Sequence, residues 1–249
     1  MRRILLCLML LAPLPVAVAQ KKDKPKDQAK VILAQPFGAA PGKTTKLTLR
    51  GLKLEDAKEV KASKGTVKLL KKGKVAVPQM MEAKDVGDSQ VEAELTLPAD
   101  AAGDDVELTV VVSDELKATR KVFIDRTPPV AEKEPNDGFE DAQAVKVGQT
   151  IDGSIGRAQD VDVYRFEAKA GDKVVIEVFA ARLGSALDSL LQLYDADKQI
   201  LATCDDIQDS TDSRLEATLE KAGTYYVSVT DAHDQGGALH PYRLVIRAK

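Results

Sequence analysis

Short runs of alternating polar and apolar residues recur along almost the whole chain, with turn signals between them. Two clear cases are 45–51, Thr-Lys-Leu-Thr-Leu-Arg-Gly, and 91–98, Val-Glu-Ala-Glu-Leu-Thr-Leu-Pro. Side chains alternate between the two faces of a β-strand, so this period of two predicts strands that bury one face. No stretch longer than about ten residues holds a helical period. The sequence therefore predicts an all-β protein made of β-sandwiches.

A pair of adjacent prolines divides the chain into two parts. Residues 127–131, Thr-Pro-Pro-Val-Ala, are expected to form an extended, semi-rigid linker. Residues 30–126 are predicted to form one sandwich of about seven strands, and residues 132–249 a second sandwich. All five tyrosines lie in the second part, so the first must build its core from Val, Leu, Ile and Ala.

The first 29 residues are not expected to join either sandwich. Arg2 and Arg3 precede an apolar run, and small residues follow at 17–19, which indicates a secretory signal peptide over residues 1–19. Residues 20–29 are charged and are expected to form a disordered lead. No later run approaches the roughly 18 apolar residues of a membrane span. We therefore expect an exported protein, secreted or periplasmic, without a membrane span.

The charge is distributed unequally between the two parts. Residues 20–128 hold 21 Lys and Arg against 17 Asp and Glu, a net charge of +4, whereas residues 129–249 hold 13 against 22, a net charge of −9. Nucleic-acid binding needs a concentrated basic surface, so this acidic part argues against it. The negative charge of residues 129–249 suits the binding of a hard cation instead.

Oxygen-bearing side chains follow the linker in residues 132–137, Glu-Lys-Glu-Pro-Asn-Asp. Pro135 disfavours the helical conformation for Glu134, so this segment should be extended. Side chains two residues apart share a side of an extended segment. Glu132, Glu134 and Asn136 are therefore expected to point together.

Asp137 has two interpretations. It could be a fourth ligand beside those three side chains, or the N-cap of a short helical turn over 138–143, in which Glu140 would complete a capping box. The two roles use different oxygens and are compatible.

A second acidic cluster stands at the start of a predicted strand, in residues 160–166, Asp-Val-Asp-Val-Tyr-Arg-Phe. Tyr164 and Phe166 are the expected inward-facing pair, and the period of two puts Asp160 and Asp162 on their side. A carboxylate aimed at the rim of a sandwich must be hydrogen-bonded, paired with a cation or solvated. No Lys or Arg at matching spacing supplies an evident partner.

Two clusters of oxygen donors at one end of a sandwich suit Ca²⁺, which takes six to eight oxygen ligands in irregular geometry. Zinc would prefer His or Cys. The alternative is a set of solvated aspartates that serve turns.

Other polar groups give weaker signals. The stretch 205–212 is acidic but lacks the glycine and the terminal glutamate of an EF-hand loop, so we expect a solvated connecting loop, with a second cation site as the alternative. His233 and His240 have no recognisable partners and are expected to be structural. Cys204 should end a strand. No nucleophile elbow, zinc-protease motif or phosphate loop occurs, so no enzyme activity is expected.

The second part resembles the bacterial pre-peptidase C-terminal (PPC) domain, and the likeness runs in order from Glu132 to Arg247. The stretches that carry it are 132–137, Gly-Ser-Ile at 153–155, 160–166, Ala-Gly-Asp at 170–172, Leu-Asp-Ser-Leu-Leu-Gln-Leu-Tyr-Asp at 187–195, Asp205-Asp206, Gly-Thr-Tyr-Tyr-Val-Ser-Val at 223–229, and Tyr-Arg-Leu-Val-Ile at 242–246. Residues 35–51 resemble the start of an IPT/TIG-type immunoglobulin-like domain.

The PPC resemblance implies a jelly-roll-like sandwich appended to secreted proteins, often peptidases. The related collagen-binding domains of clostridial collagenases hold calcium through an acidic N-terminal segment and a facing aspartate loop. Carried over by position, this implies calcium ligands at Glu132, Glu134, Asn136, Asp137, Asp162 and Asp160. Those relatives bind collagen through exposed aromatic side chains. Here the expected outward positions Tyr226, Ser228 and Thr230 are mostly small and polar, so an aromatic platform is not expected.

These observations predict a secreted, non-catalytic binding or spacer protein with a calcium-stabilised PPC-like domain. Its partner would be an extracellular or envelope protein or polymer. The alternative is an accessory or chaperone-like partner of a secreted peptidase or other hydrolase.

Overall fold

The computed structural model describes residues 28–249. The predicted signal peptide, residues 1–19, and most of the charged lead, residues 20–27, lie outside the described residues. Residues 28–249 form two β-sandwiches, each of two sheets, which confirms the predicted all-β class. No helix in this part of the chain is long and apolar enough to cross a membrane.

The first sandwich has one sheet in the order β1-β3-β6-β5 and another in the order β2-β8-β7-β4. If β2 is left out and the other strands are lettered A to G in chain order, the two sheets are A-B-E-D and C-F-G, the arrangement of an immunoglobulin sandwich. The short strand β2 is added beside β8, the last strand. The bounds are β1 Lys30–Gln35, β2 Gly38–Ala39, β3 Thr44–Leu52, β4 Glu59–Ala62, β5 Thr66–Lys74, α1 Ala83–Val86, β6 Ser89–Thr96, β7 Asp105–Val111 and β8 Lys117–Ile124.

Aliphatic side chains fill the core of this sandwich, as the composition predicts. Leu47 and Leu49 of β3 lie beside Val91 and Leu95 of the adjacent strand β6 on the core face of the sheet, and all four are fully buried. The intervening polar residues point to solvent, so the period of two matches the pleat.

The second sandwich has sheets in the orders β10-β12-β17-β14-β15 and β16-β13-β18-β11-β9. The bounds are β9 Val130–Ala131, β10 Gln143–Ala144, β11 Thr150–Ser154, β12 Val161–Ala168, β13 Lys173–Phe179, β14 Ser189–Tyr194, β15 Ile200–Cys204, β16 Arg214–Thr218, β17 Gly223–Asp231 and β18 Pro241–Ala248, with a 3₁₀ turn at Ala181–Leu183. Tyr164, Phe166 and Tyr242 are its largest buried side chains.

Strand β11 was not predicted from the sequence, because Asp152 and Gly153 are poor strand formers. The structure gives a reason for the glycine. A Cβ at Gly153 would lie 2.7 Å from the Tyr242 ring and 3.0 Å from Glu132 Oε1. The strand can therefore pass close to both side chains only with glycine at this position.

The two sandwiches touch directly. The rings of Phe123 and Phe179 meet edge to face, with centroids 6.4 Å apart. Gly184, just after the 3₁₀ turn, packs against the Ile32 carbonyl of β1, and a Cβ there would lie 1.7 Å from that oxygen. The junction is thus close-packed from both sides.

Candidate metal centre

Backbone hydrogen bonds hold the segment after the linker against the second sandwich. β9 pairs in parallel with β11 at Ile151 and Asp152, so the last two residues of the predicted linker join this sheet. The Glu132 N–H donates to the Asp152 carbonyl at 3.0 Å, and the Val163 N–H of β12 donates to the Asn136 carbonyl at 2.8 Å. The segment from Glu132 to Asn136 therefore crosses from one sheet to the other.

Three carboxylates from the two acidic clusters meet at this crossing. One oxygen from each of Glu132, Glu134 and Asp162 lies within 4.8 Å of the other two. Asn136 stands beside them and donates through Nδ2 to Glu132 Oε1 at 3.4 Å. Asp162 and Asn136 are fully buried, whereas Glu134 reaches in from an exposed loop.

Two tyrosine hydroxyls form the floor of the cluster. The hydroxyls of Tyr164 and Tyr242 are 2.6 Å apart, and each lies 3.1 Å from Glu132 Oε1. Tyr242 also lies 2.6 Å from Asp162 Oδ2. Each hydroxyl has one proton to donate, so two protons serve a larger set of oxygen acceptors. The cluster is therefore rich in acceptors and poor in donors.

Two buried oxygens of this cluster accept no hydrogen bond from any residue in 28–249. They are Asn136 Oδ1 and Asp162 Oδ1. Leaving a buried acceptor unsatisfied costs about 1–3 kcal/mol, and more for a charged group. Such oxygens are expected where a ligand that the protein atoms do not include completes the site.

Burial and crowding change the acidity of these carboxyls. Burial raises the pKa of Asp162 far above its ordinary value, and the adjacent Glu132 raises it further. Burial also raises the pKa of Glu134, followed by the charges of Asp160 and Glu132. A nearby cation would reverse this effect, because it favours the ionised form.

The residues present fit a calcium ion. The grouped side chains offer carboxylate and amide oxygens alone, which are the ligands of a hard cation, and no His or Cys belongs to this group among the described residues. Glu132, Glu134, Asn136 and Asp162 would hold the ion, with the unsatisfied oxygens of Asn136 and Asp162 as two of its ligands.

The other two predicted ligands lie around an arginine at the rim. Arg157 Nη2 is 2.7 Å from Asp137 Oδ1 and 3.1 Å from Asp160 Oδ1, although the second contact lacks hydrogen-bond geometry. Asp160 Oδ2 accepts from the Gly156 N–H at 2.7 Å. The expectation that no Lys or Arg would serve this cluster was therefore wrong. Arg157 is three residues before Asp160, on the loop that leads into β12.

One of the two interpretations of Asp137, the N-cap of a helical turn over 138–143, is not supported, because these residues form no helix. Residues 139–141 make a turn, and β10 begins at Gln143. Phe139 packs between Tyr194 and Tyr226, with centroid distances of 5.1 and 5.2 Å. This aromatic contact draws the segment onto the outer face of the sheet.

The same contact shows how the outward tyrosines are used. Tyr226 does point outward as predicted, but Tyr194 stands beside it and Phe139 covers both. Ser228, which the alternation places outward, is buried at 4% exposure, with its hydroxyl 3.4 Å from that of Tyr194. These aromatic side chains attach the segment that follows the metal cluster to the sheet.

The acidic stretch 205–212 is only partly solvated. Asp205 and Asp206 are exposed and lie with Asp188 in a second carboxylate group, whose oxygens are within 4.8 Å of one another. Asp212 is fully buried and accepts from the N–H groups of Ala180 and Ala181 at 2.8 and 2.6 Å. For Asp212 the expectation of a solvated side chain was wrong, because it anchors the 3₁₀ turn.

The histidines and the cysteine lie apart from the metal cluster. His233 Nδ1 is 3.4 Å from Asp188 Oδ2. His240 is buried, and neither of its ring nitrogens has a hydrogen-bond partner among the described residues. Cys204 ends β15 as predicted, as a free thiol.

Comparisons with known proteins match this second sandwich. Residues 160–231 match the family model described as the bacterial pre-peptidase C-terminal domain. A segment of 108 residues is 35% identical to a probable subtilase-type serine protease of Deinococcus radiodurans. That segment covers 42% of this chain but spans only 15% of the length of the protease.

Solved structures with some likeness include two bacterial proteins. The PPC domain of a Bacillus anthracis collagenase is 19% identical, covers 47% of this chain and 100% of its own, and has a TM-score of 0.36. The periplasmic lysozyme inhibitor PliG of Aeromonas hydrophila is 17% identical, covers 43% and 97%, and has a TM-score of 0.34. Within the second sandwich, residues 160–231 are therefore similar to the bacterial pre-peptidase C-terminal domain.

Proposed function

We propose that this chain is an exported, non-catalytic binding or spacer protein whose PPC domain is stabilised by Ca²⁺. The observation that carries the calcium assignment is the meeting of Glu132, Glu134 and Asp162 around two buried oxygens without donors. Export is supported by the signal-peptide pattern of residues 1–19.

The ion would supply positive charge to a crowded acidic cluster. Glu132, Glu134 and Asn136 follow β9, which already belongs to the second sandwich, and Asp162 lies on β12 of its other sheet. Binding one cation with both sets would tie this segment to the rim of β12. The proposed role of the ion is therefore to stabilise the second sandwich at the end nearest the linker, as a spacer or a presenting module requires.

The N-terminal domain is part of this proposal. Its strand order is that of an immunoglobulin sandwich, and residues 35–51 resemble an IPT/TIG-type domain. Domains of this architecture commonly serve adhesion or spacing at cell surfaces. The proposed partner is an extracellular or envelope protein or polymer.

Calorimetry of the full chain without residues 1–19 tests the calcium assignment. We expect excess calcium chloride to raise the melting temperature above that in EDTA by roughly 5–10 °C, since a ligand at 100 times its Kd adds about 2.7 kcal/mol. Magnesium should act more weakly, because it demands a compact octahedral site. An equal melting temperature in calcium and in EDTA would contradict the assignment.

A second candidate is an accessory partner of a secreted hydrolase. The identity to a segment of a subtilase-type protease favours it. The half-life of a purified serine protease secreted by the same organism, measured with and without this chain, separates the two candidates. A longer half-life supports the accessory role, whereas retention on one polymer of an extracellular-polymer array supports the binding module.

A further inference from the structure

A cleft of about 460 Å³ opens where the two sandwiches meet. Arg120 and Phe123 of β8 line one side, and Arg182 and Leu183 of the 3₁₀ turn line the other. Ligand sites occur preferentially at such domain junctions. The cleft depends on both sandwiches, since each supplies one wall.

Arg120 enters this cleft from an unusual position. It alternates with Ala118 and Val122, which are buried, so its side chain starts toward the core. β2 pairs with β8 only at Phe123 and Ile124, which leaves the strand edge open beside Arg120. The side chain is half-buried there and lines the cleft.

The guanidinium of Arg120 lacks an anionic partner within residues 28–249. Its one hydrogen bond goes from Nη2 to the Arg182 carbonyl at 3.4 Å. Burial alone lowers the pKa of Arg120, with no opposing carboxylate. A guanidinium has five N–H donors, so most of its hydrogen-bonding capacity is unused.

The other cations of the cleft are already neutralised. Arg182 pairs with Glu177 and Asp212, Lys121 pairs with Asp105 at 3.2 Å, and the exposed Glu107 adds a negative charge to the cleft lining. A dianionic phosphate would therefore meet one available positive charge. A single carboxylate matches the planar fork of one arginine in charge and shape.

Apolar surface lies beside the guanidinium. Phe123, Val122 and Leu183 line the same cleft. A ligand that fills it would join a carboxylate to an apolar group. The C-terminal residue of a peptide and a free aryl or alkyl carboxylic acid share this chemistry.

We propose that the junction cleft binds a carboxylate attached to an apolar group, with the Arg120 guanidinium as its anion contact and Phe123 and Leu183 as its apolar wall. This site is separate from the calcium cluster and does not depend on it.

Binding is measured on the full chain without residues 1–19, by NMR titration with N-acetylphenylalanine. N-acetylphenylalanine amide is the neutral control. We expect the acid to bind and to shift the Arg120 Nε–H signal, and the amide to bind at least about tenfold more weakly, because hydrogen bonds to charged groups contribute most. A short peptide that ends in free phenylalanine distinguishes a peptide terminus from a free acid: tighter binding than the acid assigns the site to peptide C-termini, and equal or weaker binding assigns it to free acids.

Variants complete the test. Arg120→Gln should weaken binding of the acid by about tenfold. The affinity of Arg120→Lys should lie between those of the wild type and Arg120→Gln, because lysine keeps the charge but lacks the planar donor pair of a guanidinium. Arg165→Gln, at an exposed arginine of β12, is the matched control and should bind as the wild type. Unchanged melting temperatures show that the variants fold. Equal binding of acid and amide, no binding of either, or full binding by Arg120→Gln would overturn the proposal.

Discussion

Arg243 of β18 and Asp125, which follows β8, form a two-pronged ion pair across the domain junction. Nη1 and Nη2 lie 2.9 and 3.0 Å from the two carboxylate oxygens of Asp125. The same guanidinium contacts Asp152 at 2.6 and 2.8 Å and lies over the Phe123 ring. Arg243 is 4% exposed, so this pair is shielded from solvent. It fixes the end of the first sandwich to the second just before the linker.

Asp125→Ala should uncouple the two sandwiches. Arg243 would keep Asp152, but it would lose its bond to the first sandwich, and removing one partner of a buried ion pair costs about 3–5 kcal/mol. We expect one calorimetric transition for the wild type and two for the variant. Asp104→Ala, at a fully exposed aspartate 3.8 Å from Arg126, is the control and should keep a single transition. One unshifted transition in Asp125→Ala would contradict this coupling.

Gly184→Ala should destabilise the protein through the junction. Gly184 has φ of +79°, and its Cβ would collide with the Ile32 carbonyl. Gly171 has φ of +86° with no atom within 4 Å of a Cβ, so Gly171→Ala measures the backbone strain alone. The free energy of unfolding in urea should fall by about 1–3 kcal/mol more for Gly184→Ala. Equal losses in the two variants would show that the contact at Ile32 is dispensable.

Asp162→Asn should have opposite effects in calcium and in EDTA. It removes one carboxylate from a crowded cluster, so the melting temperature in EDTA should stay equal or rise. It also removes a ligand charge, so most of the calcium-induced rise should disappear. Asp209→Asn, in the separate acidic loop, should keep the full rise. A calcium response of wild-type size in Asp162→Asn would remove this aspartate from the site.

The stability of the chelated protein should fall as pH increases. The folded pKa of Asp162 is raised above its unfolded value of about 3.9, so the folded state holds a proton that the unfolded state has released. The free energy of unfolding in EDTA should therefore be lower at pH 8 than at pH 5, by an amount that Asp162→Asn removes. Urea titrations of both proteins at the two pH values measure this. If the free energy of unfolding changed equally between pH 5 and pH 8 in the wild type and in Asp162→Asn, Asp162 would not hold a proton in the folded state.

His240 should produce the opposite dependence. Burial lowers the pKa of His240 in the folded state. At pH values below the unfolded-state pKa of about 6.5, the unfolded state therefore binds a proton that the folded state binds less tightly. The contribution of His240 to stability should then decrease as pH falls from 7.5 to 5. The difference in free energy of unfolding between wild type and His240→Gln, measured at both pH values, separates it from the opposite contribution of Asp162. Asp231 opposes the shift but does not cancel it. An equal loss in wild type and variant would show that His240 is protonated in the folded protein.

Much of the second sandwich was predictable because its strands follow a simple period. Tyr164 and Phe166 of β12 face inward, as the alternation in 160–166 predicts. β15 has no such signal, since Ile200 and Leu201 are adjacent apolar residues that are both exposed at an edge.

The meeting of the three carboxylates was predictable in part for the same reason. Glu132, Glu134 and Asp162 could be chosen because each stands at a local pattern that sets the direction of its side chain. Tyr242 could not be assigned a partner because its contact with Asp162 joins strands of different sheets. The contacts of Arg157 with Asp137, and of Asp188 with Asp205 and Asp206, join loops that are separated in sequence.

The sequence by itself determined the all-β class, the strands that follow a clear period of two and the acidic character of residues 132–162, because these depend on side-chain period, turn chemistry and charge along the chain. Only the tertiary structure decided that Arg243 bridges Asp125 and Asp152, and that Arg120 has no carboxylate partner within residues 28–249. Residues 125 and 243 are far apart in sequence, and alternation states which face a side chain takes but not which strand will lie opposite. Sheet order and domain docking supply that information, and they arise from packing of the whole chain.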